Sequence, residues 1–564
     1  MQNENPLIVQ SDRSILLETA SPRYSEARDT LAFFAELEKC PEHIHTYTIT
    51  ALSLWNAAAA GHTADDIIVF LRAYSKYEVP ANIIHDIQEI IGRYGKLVLN
   101  RVDDTLQLTS DDPLLLEEVA AHKAIQPLIE EVHDSSCLII APLSRGHLKQ
   151  AMIKIGYPVV DRAGYREGEP LTLTLEPRLP NNTAFALRDY QREAVNAFFK
   201  NGDISGGCGV LVLPCGAGKT VIGIGVLAQA ACQTLIITTN ITATRQWIHE
   251  LIEKTTLTEN DVGEYSGERK DIKPVTVVTY NILTYRKNKE DDFIHFGIFN
   301  RRNWGLIIYD EVHLIPAPVF RSVAELQSTR RLGLTATLVR EDGKEDDVFS
   351  LIGPKRYDVP WRDLEKAGWI ANAVCAEIRV QLPEEVRVPY VTATPREKYK
   401  IASCNPTKWD VIRCLLERHQ DDSVLIIGQY LDQLRTVQEL TNAPLITGKT
   451  KSRRRDELYS GFKHREFNVL VVSKVANFAI DLPDANVAIQ ISGTFGSRQE
   501  EAQRLGRILR PKRGANQAHF YTIVTRDTPD QVYAEKRQLF LAEQGYGYSI
   551  VNFAAEKEDP LLPN

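Results

Sequence analysis

Short apolar runs recur from residue 209 onward, and they limit the folds open to this chain more than any other feature. The first series is GVLVL (209–213), TLIIT (234–238), VTVVT (275–279) and LIIY (306–309). The second is SVLIIG (423–428), NVLVVS (468–473), NVAIQIS (486–492) and FYTIV (520–524). Runs that are apolar throughout suit strands buried on both faces. Helical segments separate them, and strand–helix alternation builds parallel sheets covered by helices. Two successive series therefore predict an α/β chain with two tandem parallel-sheet lobes, over 181–365 and 366–564.

Two smaller units come first. Residues 1–95 read as a helical module. Thr50 caps a short helix ending near Gly61, Thr63 with Asp66 caps the next, and Pro80 opens a third that closes at Gly95. Residues 96–180 read as a compact α/β unit: LVLN and LQLT as strands, DPLLLEEVAAHKA as a helix, CLIIAP as a buried strand, and SRGHLKQAMIKIG as a helix capped by Ser144.

Composition narrows the class. The 564 residues allow three or four domains, and 43% apolar with 25% charged residues is ordinary for a soluble protein. No apolar run approaches a membrane span and no N-terminal signal pattern is present. Eight cysteines occur without a Cys-x-x-Cys pair, which predicts neither a zinc site nor a disulfide framework and points to the cytoplasm. A net charge of −8 argues against non-specific coating of nucleic acid. It leaves a local cationic groove open, because counterion release depends on the few cations that touch phosphate.

The first lobe carries the chemistry. In VLVLPCGAGKT an apolar strand runs into Pro214, Cys215, Gly216, Ala217, Gly218, Lys219 and Thr220, the order a phosphate-binding loop needs. The glycines let backbone N–H groups turn toward phosphates, Lys219 reaches the outer phosphates of ATP, and Thr220 offers a hydroxyl to Mg²⁺. In LIIYDEVH, Asp310 and Glu311 fall at the carboxyl end of a strand, where open parallel sheets bind ligands. Asp310 is expected to hold the magnesium through water and Glu311 to polarise the attacking water.

A second Gly-Lys-Thr, in ITGKTKSRRR (446–455), lacks the preceding glycine loop and reads as a helix start with a solvated basic face. In QRLGRILR (503–510), Arg504, Arg507 and Arg510 recur at helical spacing. Arg507 and Arg510 are expected to meet the γ-phosphate from across the cleft, with Gln503 as a polar nucleotide contact. The other reading is a basic helix face that packs or solvates.

Further segments carry a family resemblance. GAGKT, DEVH, GLTATLVRED, SKVANFAIDLP and GSRQEEAQRLGRILR occur in the order of superfamily 2 helicases. The run DEVHLIPAPVFRSV…RRLGLTATLVRED and the tail FYTIVTRDTPDQVYAEKRQLFLAEQGYGY are similar to the XPB family of DNA helicases. PLIVQSDRSILLE…TYTITALSLWNAAAAGH resembles the amino-terminal module of its bacterial members.

The resemblance implies RecA-like lobes and ATP-driven 3′–5′ strand separation at single-strand/duplex junctions in DNA repair, by a monomer that can work with a repair nuclease. It implies that Gln191, with Arg188 beside it, reads adenine, and that Thr335 and Thr337 couple nucleotide state to lobe movement. Arg340, Glu341 and Asp342 match the element implicated in strand separation, and Gln246 and Thr279 match strand-contacting motifs. It assigns 96–180 to damage recognition. A thumb insertion found in archaeal and eukaryotic members is reduced here to PEEVRVPYVTATPREKYKIAS. Open alternatives are a duplex translocase that does not unwind, an RNA helicase, and a repair scaffold without turnover.

Overall fold

A computed structural model of the chain describes residues 5–553, apart from 41–42, 104, 142–143, 204–205, 215, 289–292, 316–318, 320–326, 328, 337–344, 360, 474–484, 494–516, 544–545 and 547. Four sheets organise these residues.

The two lobes carry one seven-stranded sheet each, and every strand pairing in both is parallel. Across the first, the order is Val262–Tyr265, Val275–Thr279, Thr234–Thr238, Leu306–Asp310, Arg330–Thr335, Cys208–Val212 and Lys355–Asp358. Across the second it is Leu445–Ile446, Val469–Ser473, Val424–Gly428, Val487–Gln490, Gln517–Thr525, Asn372–Val380 and Tyr548–Asn552. The central strands of each are buried along their length, as the apolar runs require. All eight expected runs coincide with strands. Parallel pairing then places every strand's carboxyl end on one side of its sheet, which gathers the loops that follow them.

The amino-terminal unit corrects the expected helical module. Its three helices lie where anticipated, at Ala51–Ala60, Ala64–Tyr74 and Ala81–Arg93. Thr50 and Thr63 both form capping boxes, and Gly61 ends the first helix with φ +101°. They pack with a further helix, Tyr24–Phe34, and with a four-stranded antiparallel sheet of Leu7–Val9, Ser14–Glu18, Ile44–Thr48 and Glu36–Lys39. These strands alternate between buried and exposed positions, so no continuous apolar run announces them.

The second unit is a five-stranded sheet with the expected helices at Pro113–Ala121 and Arg145–Lys154. Ser144 makes no side-chain capping bond, contrary to expectation. The helix is tied down instead by Asp161, which accepts from Arg145 Nε and Nη2 at 3.0 and 2.8 Å and faces Lys149 Nζ at 3.0 Å. Gln150 donates to Asp347 at 2.8 Å, joining this unit to the first lobe.

The amino-terminal unit touches both lobes. The Lys355 N–H donates to Asn56 Oδ1 at 2.9 Å, and the Tyr548 hydroxyl donates to the Cys40 carbonyl at 3.1 Å. Leu539 and Ala542 of the second lobe belong to the same buried apolar cluster as Leu54, Ile67 and Ile83. Lys355 and Tyr548 are each the first residue of an edge strand, so the contacts lie at the amino ends of both sheets. In the interval of the reduced thumb stand two short helices, Glu384–Thr392 and Pro395–Ser403. The first buries no residue and exposes Val388 and Val391.

Candidate nucleotide site

The strand Cys208–Val212 ends beside Thr335, whose carbonyl accepts the Leu213 N–H at 3.0 Å. The loop then turns: Pro214 O accepts from Ala217 N–H at 3.2 Å, and Gly216 and Gly218 take φ of +86° and +77°. These left-handed angles strain any residue with a Cβ. At Gly218 a Cβ would also lie 2.7 Å from Gln191 Nε2. Gly218 is the N-cap of the helix Lys219–Ala230 and brings no capping side chain, nor does an acidic residue occupy the first turn. A helix start of this kind, with its positive dipole end uncapped by a side chain, favours an anion. Cys215 lies outside the described residues.

A buried brace supports the loop from behind. Ala217 O accepts from the Tyr190 hydroxyl at 2.7 Å and from Gln191 Nε2 at 3.1 Å. Gln191 Oε1 accepts the Arg188 N–H at 3.0 Å. Here the Gln191 carboxamide, expected to read adenine, is engaged at both ends by the chain itself. The Arg188 guanidinium lies 4.4 Å from the Trp369 ring centroid, a cation–π contact with the segment leading into the second lobe.

Asp310 ends the strand Leu306–Asp310, one strand removed from the phosphate-binding strand. Its Oδ2 accepts from Trp247 Nε1–H at 2.9 Å, and its carbonyl accepts from the Tyr280 hydroxyl at 3.1 Å. Burial, and then the neighbouring Glu311 charge, push the Asp310 carboxyl up to about 6. Glu311 takes the left-handed backbone, φ +50° and ψ +57°. That conformation is strained for a non-glycine residue and characteristic of functional turns. Glu311 Oε1 stands 3.9 Å from Lys219 Nζ, and its Oε2 stands 3.6 Å from His313 Nδ1. His313 Nδ1 also meets the Thr335 hydroxyl at 2.8 Å. A polar chain therefore runs from Lys219 through Glu311 and His313 to Thr335 of the next strand.

The site suits a hydrated cation bridging to phosphates. Two carboxylates share a confined space with one ammonium, and Glu311 Oε2 is buried without a hydrogen-bond partner among the described residues. No group of three or more His, Cys, Asp or Glu side chains forms a metal cage among the described residues. This agrees with magnesium's habit of binding through one or two protein groups plus substrate phosphates. Thr220, next to Lys219 in the helix's first turn, and Asp310 are the residues that would hold it.

Other expected positions divide into three groups. Gln246 is on the exposed side of the helix Ile241–Lys254 and donates to Glu250 at 3.0 Å. Thr279 is 3% exposed and accepts the Ile282 N–H at 3.3 Å, capping a one-turn helix. Gln503, Arg507, Arg510, Thr337, Arg340, Glu341 and Asp342 lie outside the described residues. Sequence reading missed Tyr190, Trp247, Tyr280 and His313. Trp247 was detectable only as a buried position on an amphipathic helix, and nothing in that pattern names Asp310 as its partner.

Similarities to known proteins extend over most of the chain. The family described as "Type III restriction enzyme, res subunit" matches residues 184–340, which hold the site. "ERCC3/RAD25/XPB C-terminal helicase" matches 364–561, and "Helicase conserved C-terminal domain" matches 7–133. A Mycobacterium tuberculosis protein named DNA 3′-5′ helicase XPB is 53% identical over 97% of this chain and 98% of its own. The Saccharomyces cerevisiae protein named general transcription and DNA repair factor IIH helicase/translocase subunit XPB/SSL2 is 32% identical over 98% of this chain and 72% of its own. Among solved structures, the ATP-dependent type ISP restriction-modification enzyme LlaBIII bound to DNA aligns with a TM-score of 0.50 and 14% identity. That alignment covers 67% of this chain and 32% of that one, and it shows the fold.

Proposed function

The chain belongs to the XPB family of DNA helicases, and on that premise we propose how its residues divide the work of an ATP-dependent 3′–5′ DNA helicase in repair. The observation that carries the proposal is the convergence of Lys219, Asp310 and Glu311 at the carboxyl ends of two strands that flank Arg330–Thr335, 3.9 Å separating the lysine from Glu311. The left-handed loop and the open helix end receive the β- and γ-phosphates, and Lys219 reaches the outermost charge. Thr220 and Asp310 would hold magnesium, which would supply charge neutralisation of the phosphates. Glu311 orients the attacking water and accepts its proton. His313 and Thr335 carry the presence or absence of the γ-phosphate to the adjacent strand. Arg507, Arg510 and Gln503 complete the site from the second lobe, and Arg188 and Gln191 meet the base once the brace on Ala217 yields.

Closure of the lobes on ATP and their release after hydrolysis move DNA-backbone contacts out of phase. Gln246, Thr279, Thr337, Arg340, Glu341 and Asp342 take part on the DNA side. Backbone contacts make such stepping indifferent to sequence. The chain acts as a monomer on single-strand/duplex junctions, divided at 95, 180 and 365, with 96–180 reading damage and a repair nuclease as partner.

Displacement of a labelled strand from 3′- and 5′-tailed duplexes tests the reading. Displacement that needs ATP and a 3′ tail is expected. ATP turnover with DNA but no displacement on either substrate would instead favour a duplex translocase.

A further inference from the structure

The segment leading from the first lobe into the second carries an aromatic ring against the nucleotide site. Its helix, Trp361–Lys366, ends in a fixed turn. Gly368 takes φ +73°, its N–H donates to the Glu365 carbonyl at 2.9 Å, and the Trp369 N–H donates to the Leu364 carbonyl at 2.8 Å. Two such bonds around a left-handed glycine form the Schellman closure of a helix, which fixes the residue after the glycine. Ile370 and Ala371 are then fully buried, just before the strand Asn372–Val380. The backbone is held on both sides of Trp369, while Trp369 itself stays 37% exposed.

The Arg188 guanidinium lies on this indole, 4.4 Å from its centroid, and the Tyr190 ring stands 6.4 Å away, tilted by 53°. Arg188 is half-buried and forms no ion pair among the described residues. Its Nη1 donates to the Tyr190 hydroxyl at 3.2 Å, and that hydroxyl donates to the Ala217 carbonyl at 2.7 Å. Contacts therefore run from the connection between the lobes to the phosphate-binding loop. The charge of Arg188 is met by an aromatic face in place of a carboxylate. A guanidinium is planar, so an indole on one face leaves the other for a second flat group.

We infer that Trp369 is a positioning residue for the nucleobase: its indole holds the Arg188 guanidinium flat, so that the opposite face stacks on the adenine of the bound nucleotide. This rests on the reading of Arg188 as a base contact and deepens it. A free arginine side chain loses several torsions when it is immobilised by a ligand, and one already seated on a ring has lost them in advance. When the brace on Ala217 yields, Gln191 is released toward the base while Arg188 keeps its seat. Because the indole belongs to the connection between the lobes, base recognition draws on more than the lobe that holds the phosphates.

Calorimetric titration of the full chain with ADP, and with inorganic pyrophosphate, which lacks a base, tests this. Trp369→Leu keeps apolar bulk without a π face, and is expected to weaken ADP binding about fivefold while pyrophosphate binding stays unchanged. Trp369→Phe restores a face and should bind ADP within about twofold of the parent. Arg188→Ala should weaken ADP binding at least as much as Trp369→Leu. Adding Trp369→Leu to it should cost nothing more, since the indole acts through the guanidinium. A thermal midpoint shared by all variants and the parent excludes unfolding. Equal loss on ADP and pyrophosphate, no rescue by Trp369→Phe, or losses that add in the double variant overturn the positioning role. So does a loss confined to one of the two residues. No loss in any variant overturns the base reading of Arg188 itself, and a parent chain that binds neither ligand overturns the nucleotide site.

Discussion

The chain spells Gly-Lys-Thr twice, each time between a parallel strand and the next helix of a lobe, and the two junctions fold to opposite ends. At 218–220 the tripeptide follows a strand buried between two others, the glycine takes φ +77°, and the helix begins at the lysine itself. At 448–450 it follows a two-residue edge strand, and the helix waits until Ser452. There the loop bonds to itself. Thr447 N–H donates to Thr450 Oγ1 at 3.0 Å, Thr450 N–H to Thr447 O at 3.0 Å, and Lys449 N–H to Thr447 Oγ1 at 3.3 Å. N–H groups that would face a phosphate in the first junction are consumed internally in the second. Of the arginines that follow, Arg453 and Arg454 are solvated and share Glu457, while Arg455 turns back to donate to the Thr450 carbonyl at 3.2 Å. The tripeptide alone therefore does not fix the backbone: its direction at a central strand does, and only the first junction has the form a phosphate site requires.

Lysine replacement breaks the comparison most sharply. Lys219→Ala should lower DNA-stimulated ATP turnover about a hundredfold or more while Lys449→Ala stays within about twofold of the parent; a coupled phosphate-release assay reads both. A smaller effect is expected from Trp247→Phe, which deletes the donor to Asp310 and withdraws the outer indole atoms that lie over Gly223. It should raise the magnesium concentration for half-maximal turnover about tenfold and lower the thermal midpoint through the void it leaves. Smallest is Thr447→Val in the second junction. Losing the acceptor for Lys449 should cost about 1 kcal/mol in denaturant unfolding and leave turnover untouched.

The same contrast explains what could be read from the sequence. Strands buried on both faces announce themselves, and Thr234–Thr238 and Val275–Thr279 coincide with their runs to the residue. Arg330–Thr335 does not, because it carries Arg331 into the interior. There the guanidinium is buried on the carbonyls of Leu351 and Gln327, at 2.7 and 2.8 Å. Edge strands such as Lys355–Asp358 are too polar to stand out. The residues that converge at the candidate site, Gly218, Lys219, Asp310 and Glu311, could be picked out because phosphate geometry dictates a glycine, lysine and acid spacing. Their supports, Tyr190, Trp247 and His313, could not, since a tyrosine or tryptophan reaching across strands leaves no local pattern.

One contact of the amino-terminal unit has a mechanical meaning. It joins Lys355 and Tyr548, the opening residues of edge strands in the two lobes, whereas the nucleotide site lies past the closing residues of strands in the first. Two jaws pinned behind and loaded in front behave as tongs. A slight rotation at such a pin would become a long excursion at the tips, where the candidate nucleotide site lies.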